Sequence, residues 1–124
     1  MVEENKDSAV SFLTLASEGT VREAYSDFVG TGFKHHNPFF EGTAAALSAG
    51  MEASARQNPN KIIEILRVIG EGDFVAVHSH VRQKPEDLGA VVVHIFRFED
   101  GRIVELWDVG QPVPVESSNQ YGMF

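Results

Sequence analysis

The chain has 124 residues, the usual size of one compact domain, and enough apolar side chains to fill a single core. It contains no cysteine, which excludes disulfides, thiolate metal sites and a cysteine nucleophile and fits a reducing, cytoplasmic setting. Its formal charge of −8, with no cluster of Lys or Arg, argues against nucleic acid and anionic lipid as partners, and no apolar run approaches membrane-spanning length.

One domain over 1–124 is expected, with residues 1–7 as an acidic, flexible tail that lacks the apolar stretch of a signal peptide. Asp7 or Ser8 then caps a short helix with Val10, Leu13 and Ala16 on one face, stopped by Gly19. Thr20 and Glu23 have capping-box spacing, and Val21, Ala24, Tyr25 and Phe28 form one apolar stripe of a second helix that Gly30 ends. Residues 33–40 read as a short strand and turn, because the residue before Pro38 resists helix. Gly42 and Thr43 open a third helix whose Ala44, Leu47, Met51 and Ala55 face inward, and Asn58-Pro59-Asn60 closes it.

From Lys61 the apolar period switches to two, which predicts strands over 61–69, 74–82, 90–98 and 102–109. The connections suit an antiparallel meander: a tight turn at Gly70 to Asp73, a longer loop from Gln83 to Gly89, and a hairpin tip at Glu99-Asp100-Gly101. Helices followed by a curved sheet give an α+β class, with the helices closing one face over a pocket. The Gly-x-Gly at Gly70 and Gly72 has no helix after it, so it is a turn and not a phosphate loop.

Register decides which side chains meet in that pocket. A three-residue loop with Gly101 in a bulge position pairs Phe98 with Arg102, His94 with Leu106 and Val92 with Asp108, which puts His94 and Asp108 on one face. It groups Phe96, Phe98, Val104 and Leu106 as the apolar face and leaves Arg97 and Glu105 as an ion pair on the other. A two-residue Asp100-Gly101 turn would reverse that parity.

Asp108 sits among apolar residues, where a carboxylate either forms a salt bridge or has its pKa raised until it exchanges protons near neutral pH. A strand-end aspartate can equally cap backbone N–H groups. His36, His78, His80 and His94 are protonatable partners for it, whereas His35, on the opposite side of an extended segment from His36, is expected to be exposed. His78 and His80 share a strand face with Phe74, Ala76 and Arg82. Such a His-x-His also suits a metal, and with His36, His94 and Asp108 it makes a nitrogen-rich site conceivable, although spacing fixes no third ligand. Tyr25, Phe33, Phe39 and Trp107 are either core or a substrate platform.

His36-Asn37-Pro38 followed by Gly42 at a helix start, His78-Ser79-His80 on a strand, and Ile95-Phe96-Arg97-Phe98-Glu99-Asp100-Gly101 running into Glu105-Leu106-Trp107-Asp108-Val109 resemble the SnoaL-like polyketide cyclase branch of the NTF2-like superfamily. The resemblance covers nearly the whole chain. It implies a cone-shaped NTF2-like (cystatin-like) fold, with N-terminal helices packed on a curved, mainly antiparallel sheet that encloses a pocket. In characterised cyclases of this family an aspartate on the corresponding late strand is the general acid/base of an intramolecular aldol closure, without metal or cofactor; the resemblance places that role on Asp108. It also implies a homodimer that buries the sheet face carrying Val91, Val93, Ile95 and Trp107. One departure is His94, where the commoner pattern has an aspartate before Ile95-Phe96-Arg97.

The expectation is a small-molecule-binding domain performing cofactor-independent acid/base chemistry on a carbonyl compound, by aldol-type cyclisation or isomerisation. Asp108, His36 and His94 are the catalytic candidates; His78, His80, Asn37, Tyr25, Phe33, Phe39 and Trp107 are the substrate-binding ones. No metal is expected. Because this fold also serves isomerases, dehydratases, epoxide hydrolases and binding domains, a non-catalytic ligand-binding or dimerisation module and a histidine-rich metal site stand as alternatives.

Overall fold

Glu3 and Glu4 fall in the first turn of helix α1 (Val2–Ser17), where their charge complements the positive end of the helix, and Lys6 pairs with Glu3 at 3.1 Å. The computed structural model, which describes residues 1–124, therefore has helix where a flexible acidic tail was expected, and Asn5 is buried. Neither Asp7 nor Ser8 caps it. The inward face is centred on Ala9, Phe12 and Leu13, one position off the expected stripe, because Phe12 is the largest side chain the helix can bury. Gly19, with φ +91°, ends α1 in a Schellman motif: Thr20 N–H donates to Leu15 O and Gly19 N–H to Ala16 O.

Helix α2 (Val21–Phe28) buries Val21 and Ala24 and packs Tyr25 and Phe28 against the core; the Thr20 side chain makes no capping bond, so the capping box is not formed. Strand β1 (Val29–His35) follows directly. Thr43 caps helix α3 (Ala44–Gln57) by accepting Ala46 N–H at 3.1 Å, as the sequence suggests, and Leu47 is its buried anchor. Strands β2 (Ile62–Glu71), β3 (Phe74–Arg82), β4 (Ala90–Glu99) and β5 (Arg102–Pro112) form the meander.

The sheet order is β1-β5-β4-β3-β2, antiparallel throughout except for β1, which runs parallel to β5. The three helices cover one face, so the fold is α+β with a mixed sheet. Val75 and Val77 of β3, Phe96 and Phe98 of β4 and Ile103 and Leu106 of β5 point into the core beneath Phe12. No helix is long and apolar enough to cross a membrane.

The β4–β5 hairpin differs from the expected register in an instructive way. Asp100 (φ 49°) and Gly101 (φ 78°) form a two-residue turn with both central residues left-handed, which matches strand twist, so Glu99 pairs with Arg102 and Phe98 with Ile103. The register then shifts by one, because Val104 is an extra residue opposite the Arg97/Phe98 step. The tight turn reverses the parity and the bulge restores it. His94 pairs with Asp108, Phe96 with Leu106 and Arg97 with Glu105, and Ile103 takes the core position assigned to Val104.

Candidate active site

Phe33 is the large apolar residue of β1 and turns into the core; alternation along an extended chain then sends His35 and Asn37 inward and Lys34 and His36 outward. Pairing with β5 confirms this parity, since His35 lies beside Leu106 and Lys34 beside Glu105. His35 is thus buried, against expectation. Its Nδ1 accepts Asn37 N–H at 3.1 Å, which leaves Nε2–H to donate to Glu41 O. The turn after β1 is pinned at both ends of this ring.

Asn37 is aimed by that turn. Its Oδ1 accepts Phe39 N–H at 2.9 Å, which fixes the amide orientation, and its Nδ2 donates to Asp108 Oδ2 at 3.0 Å. Asp108 and Asn37 open onto a cavity of about 510 Å³ between sheet and helices. Leu13, Leu47 and Met51 form the helical wall, Ile63 and Val81 the sheet wall, and the exposed Phe39 and Phe40 stand at the opening. The arrangement is a mostly apolar pocket with a few placed polar groups, as small-molecule sites are.

His94 lines the same cavity directly across from Asp108 in the strand register. It is buried, and its Nδ1 has no hydrogen-bond partner. Burial pushes its pKa down to about 4, against the opposing pull of the Asp108 carboxylate, so the ring is neutral at physiological pH. Tyr25 lies in the wall behind, edge-on to Phe12 and Phe33, with its hydroxyl donating to Met51 Sδ at 3.5 Å. Burial, and next the charge of Asp108, push its pKa well up, so it stays a phenol.

Several sequence candidates lie elsewhere. His36 is on the outer sheet face, where its Nε2 meets Glu105 Oε2 at 2.6 Å and its ring stacks on Trp107 at 4.9 Å. The unforeseen β1–β5 pairing sets this, since it makes His36 and Trp107 neighbours on the side away from the helices. Arg97 Nε also donates to Glu105, at 3.0 Å, so the expected Arg97–Glu105 pair is present. The His36 hydrogen bond, then Arg97 and Lys34, hold the Glu105 carboxyl below its usual range. Trp107 therefore lies on the face away from the cavity, and Phe33 is core.

His78 and His80 do share a strand face, but it is the outer one, because Val75, Val77 and Ser79 of β3 take the core. Arg67 Nη1 donates to His78 Nδ1 at 2.9 Å, His80 Nε2 donates to Leu88 O at 2.7 Å, and Phe124 stacks on His80 at 4.3 Å. The sheet separates both from His94, and His36 is committed to Glu105. No three His, Asp or Glu side chains are grouped to hold a metal, so the histidine-rich alternative loses its ligand set. Sequence reasoning missed Lys61, Ser54 and Gln83, which line the far end of the cavity and lack any motif signal.

The family model described as SnoaL-like domain matches residues 9–106. No curated protein matches this chain in sequence. Among solved structures, AclR from Streptomyces galilaeus, a candidate hydroxylase, superposes with a TM-score of 0.76 at 21% identity over 93% of this chain and 83% of that one. A SnoaL-like protein of unknown function from Burkholderia thailandensis gives 0.73 at 15% identity, covering 90% and 97%. A candidate polyketide cyclase from Acidithiobacillus ferrooxidans gives 0.71 at 18% identity, covering 87% and 88%. At these identities the likeness speaks for the fold alone.

Proposed function

This chain belongs to the SnoaL-like domain family, and from that premise we propose that its cavity binds a small carbonyl compound and moves a proton at the carbon beside the carbonyl. The observation that carries the reading is the Asn37–Asp108 hydrogen bond at one end of the cavity, with the neutral His94 beside it across the strand register and the apolar Leu13, Leu47, Met51, Ile63 and Val81 among the walls. Asp108 is the proton-transfer group. One carboxylate oxygen is held by Asn37, which leaves the other to take the proton from carbon; the electron pair passes to the carbonyl oxygen, forming an enolate. A neutral imidazole N–H on His94 can donate to that oxygen without an added charge, and the apolar walls strengthen the bond by excluding water.

The enolate then has two fates. It attacks a second carbonyl of the same molecule, and the alkoxide so formed takes the proton from the Asp108 carboxylic acid, giving aldol-type ring closure; or, in a β,γ-unsaturated substrate, where it is a dienolate, Asp108 returns the proton to the γ-carbon, giving isomerisation. Neither needs a metal or cofactor, because a carboxylate and an imidazole together supply acceptor and donor. We also read the outer face carrying Val91, Val93, Ile95 and the exposed Val109 as the surface of a homodimer, in a cytoplasmic protein. A monomer mass by light scattering at tens of micromolar would remove the dimer.

The test of the chemistry is proton exchange. Small ketones and 1,3-dicarbonyl compounds incubated with the protein in D₂O should lose their α-proton NMR signals faster with wild type than with Asp108→Asn, which keeps the shape and removes the titrating group. A rate drop of about a hundredfold or more is expected. Binding without exchange in either protein would leave a ligand-binding module.

A further inference from the structure

The cavity has two polar ends. Asp108 and Asn37 define one, beside β5; Lys61, Ser54 and Gln83 define the other, at the β2 edge. Strands β4 and β3 lie between, and the register sets His94, Val77 and Val68 in turn across from Asp108, so Lys61, seven positions before Val68, is displaced from Asp108 along the strands as well as across them.

Lys61 precedes β2, and continuing the Ile62–Arg82 pairing outward sets it opposite Gln83 on the inner face. Its Nζ donates to Ser54 Oγ of α3 at 2.7 Å. It is half-buried and forms no ion pair, although six other Lys and Arg side chains do. An ammonium has three donors, and only one is used here; the Ser54 hydroxyl, an acceptor in this bond, keeps its own proton free. A half-buried cation with two spare donors and no counter-ion is costly unless a ligand supplies the anion, and a charge-assisted bond to that anion is the strongest the site can make. On a chain of net charge −8 the overall field does not attract an anion, so its recognition has to be local.

Resting on the reading of the cavity as a carbonyl site, we propose that Lys61, assisted by Ser54 and Gln83, is a carboxylate-binding subsite. The substrate class is then a carbonyl compound carrying a carboxylate at the end remote from the reacting carbon, spanned by an apolar body. The Lys61 ammonium anchors the carboxylate while the carbonyl end lies between Asp108 and His94.

The experiment compares two uncharged-versus-charged isosteres, para-acetylbenzoate and para-acetylbenzamide, by calorimetric titration of the full chain. Wild type should bind the acid about tenfold more tightly than the amide. Lys61→Met and Lys61→Gln should abolish that preference while keeping amide affinity and without lowering the melting temperature, since each removes an uncompensated charge, Lys61→Arg should retain most of it, and added salt should weaken the acid alone. Equal binding of acid and amide by wild type, or a preference that survives both neutral substitutions, overturns the subsite and leaves the cavity reading intact. Failure of both compounds to bind overturns the cavity reading and the subsite with it. Trapping of a covalent Lys61 adduct by cyanoborohydride also overturns it, by making the amine a nucleophile and not an anchor.

Discussion

Asn37 and Asp108, 71 positions apart in the chain, are joined by a 3.0 Å hydrogen bond that exists because β1 runs parallel to β5 and delivers the turn after it to the carboxylate. The bond fixes which Asp108 oxygen is occupied and therefore which is free. Asn37 is thus a positioning residue, held in turn by the His35 ring and by Phe39 N–H.

Asn37→Ala should lower kcat for proton exchange by about tenfold with little change in KM, since the carboxylate stays but loses its orientation. Asn37→Asp should do something different. Two carboxyl groups at the same spacing cannot both ionise, so one proton is retained and the acidic limb of the pH–rate profile moves to higher pH. A profile identical to that of wild type would break the proposed link between Asn37 and the reacting carboxylate.

His94 makes stability depend on pH in a definite window. Its folded pKa, about 4, lies below the unfolded value of 6.5, because burial favours the neutral ring. As pH falls below 6.5 the unfolded chain takes up a proton that the folded chain refuses until about pH 4, so the unfolded state gains and stability drops across that interval. The contribution is fully present above pH 6.5 and is on the order of 3 kcal/mol. Urea melts of wild type and His94→Phe between pH 4 and 7 should diverge toward higher pH dependence in wild type. Parallel curves would mean that His94 carries its proton when folded.

The strand pattern and the helix stripes were legible because each buries one face, and burial writes a period of two or 3.6 into the sequence. That His94 and Asp108 share one face was legible too, although their direct pairing was not, since the expected register set His94 against Leu106: the expected Gly101 bulge is a tight turn, and the compensating bulge at Val104 leaves no mark in a run of apolar residues. The histidines were misplaced for a different reason. His36 needed a neighbour strand to define its side, and the parallel β1–β5 contact joins segments about 70 residues apart that no local pattern connects. Phe33 did hold the clue, since taking it as core sends His35 and Asn37 inward by alternation. Lys61 was invisible because a lysine before a strand looks the same whether it faces water or a cavity.

His36 provides a direct check on that correction. It is half-exposed and bonds Glu105 on the face away from the cavity. His36→Ala should therefore leave proton exchange within about twofold of wild type, while unfolding free energy falls by about 1–2 kcal/mol, since the buried Glu105 carboxylate loses one charge-assisted bond and keeps Arg97. A loss of exchange comparable to that of Asp108→Asn would return His36 to the catalytic group.

Gly50 and Phe40 govern the opening of the cavity. A Cβ built on Gly50 would lie 2.5 Å from Cε1 and Cζ of Phe40, so the ring rests on bare α3 backbone, and both residues line the cavity. Gly50→Ala cannot keep that contact. Phe40 is already 42% exposed, so its ring swings outward at small cost, while alanine in a helix interior is favoured over glycine by about 1 kcal/mol. The variant should thus melt at or slightly above the wild-type temperature, yet release para-acetylbenzoate faster, since the ring no longer covers the opening. Phe40→Ala should release it faster for the same reason. In the double variant the two effects should not add, because the glycine matters only through the ring it accommodates. Additive dissociation rates across the Gly50→Ala and Phe40→Ala cycle would show that Gly50 acts on the cavity by another route.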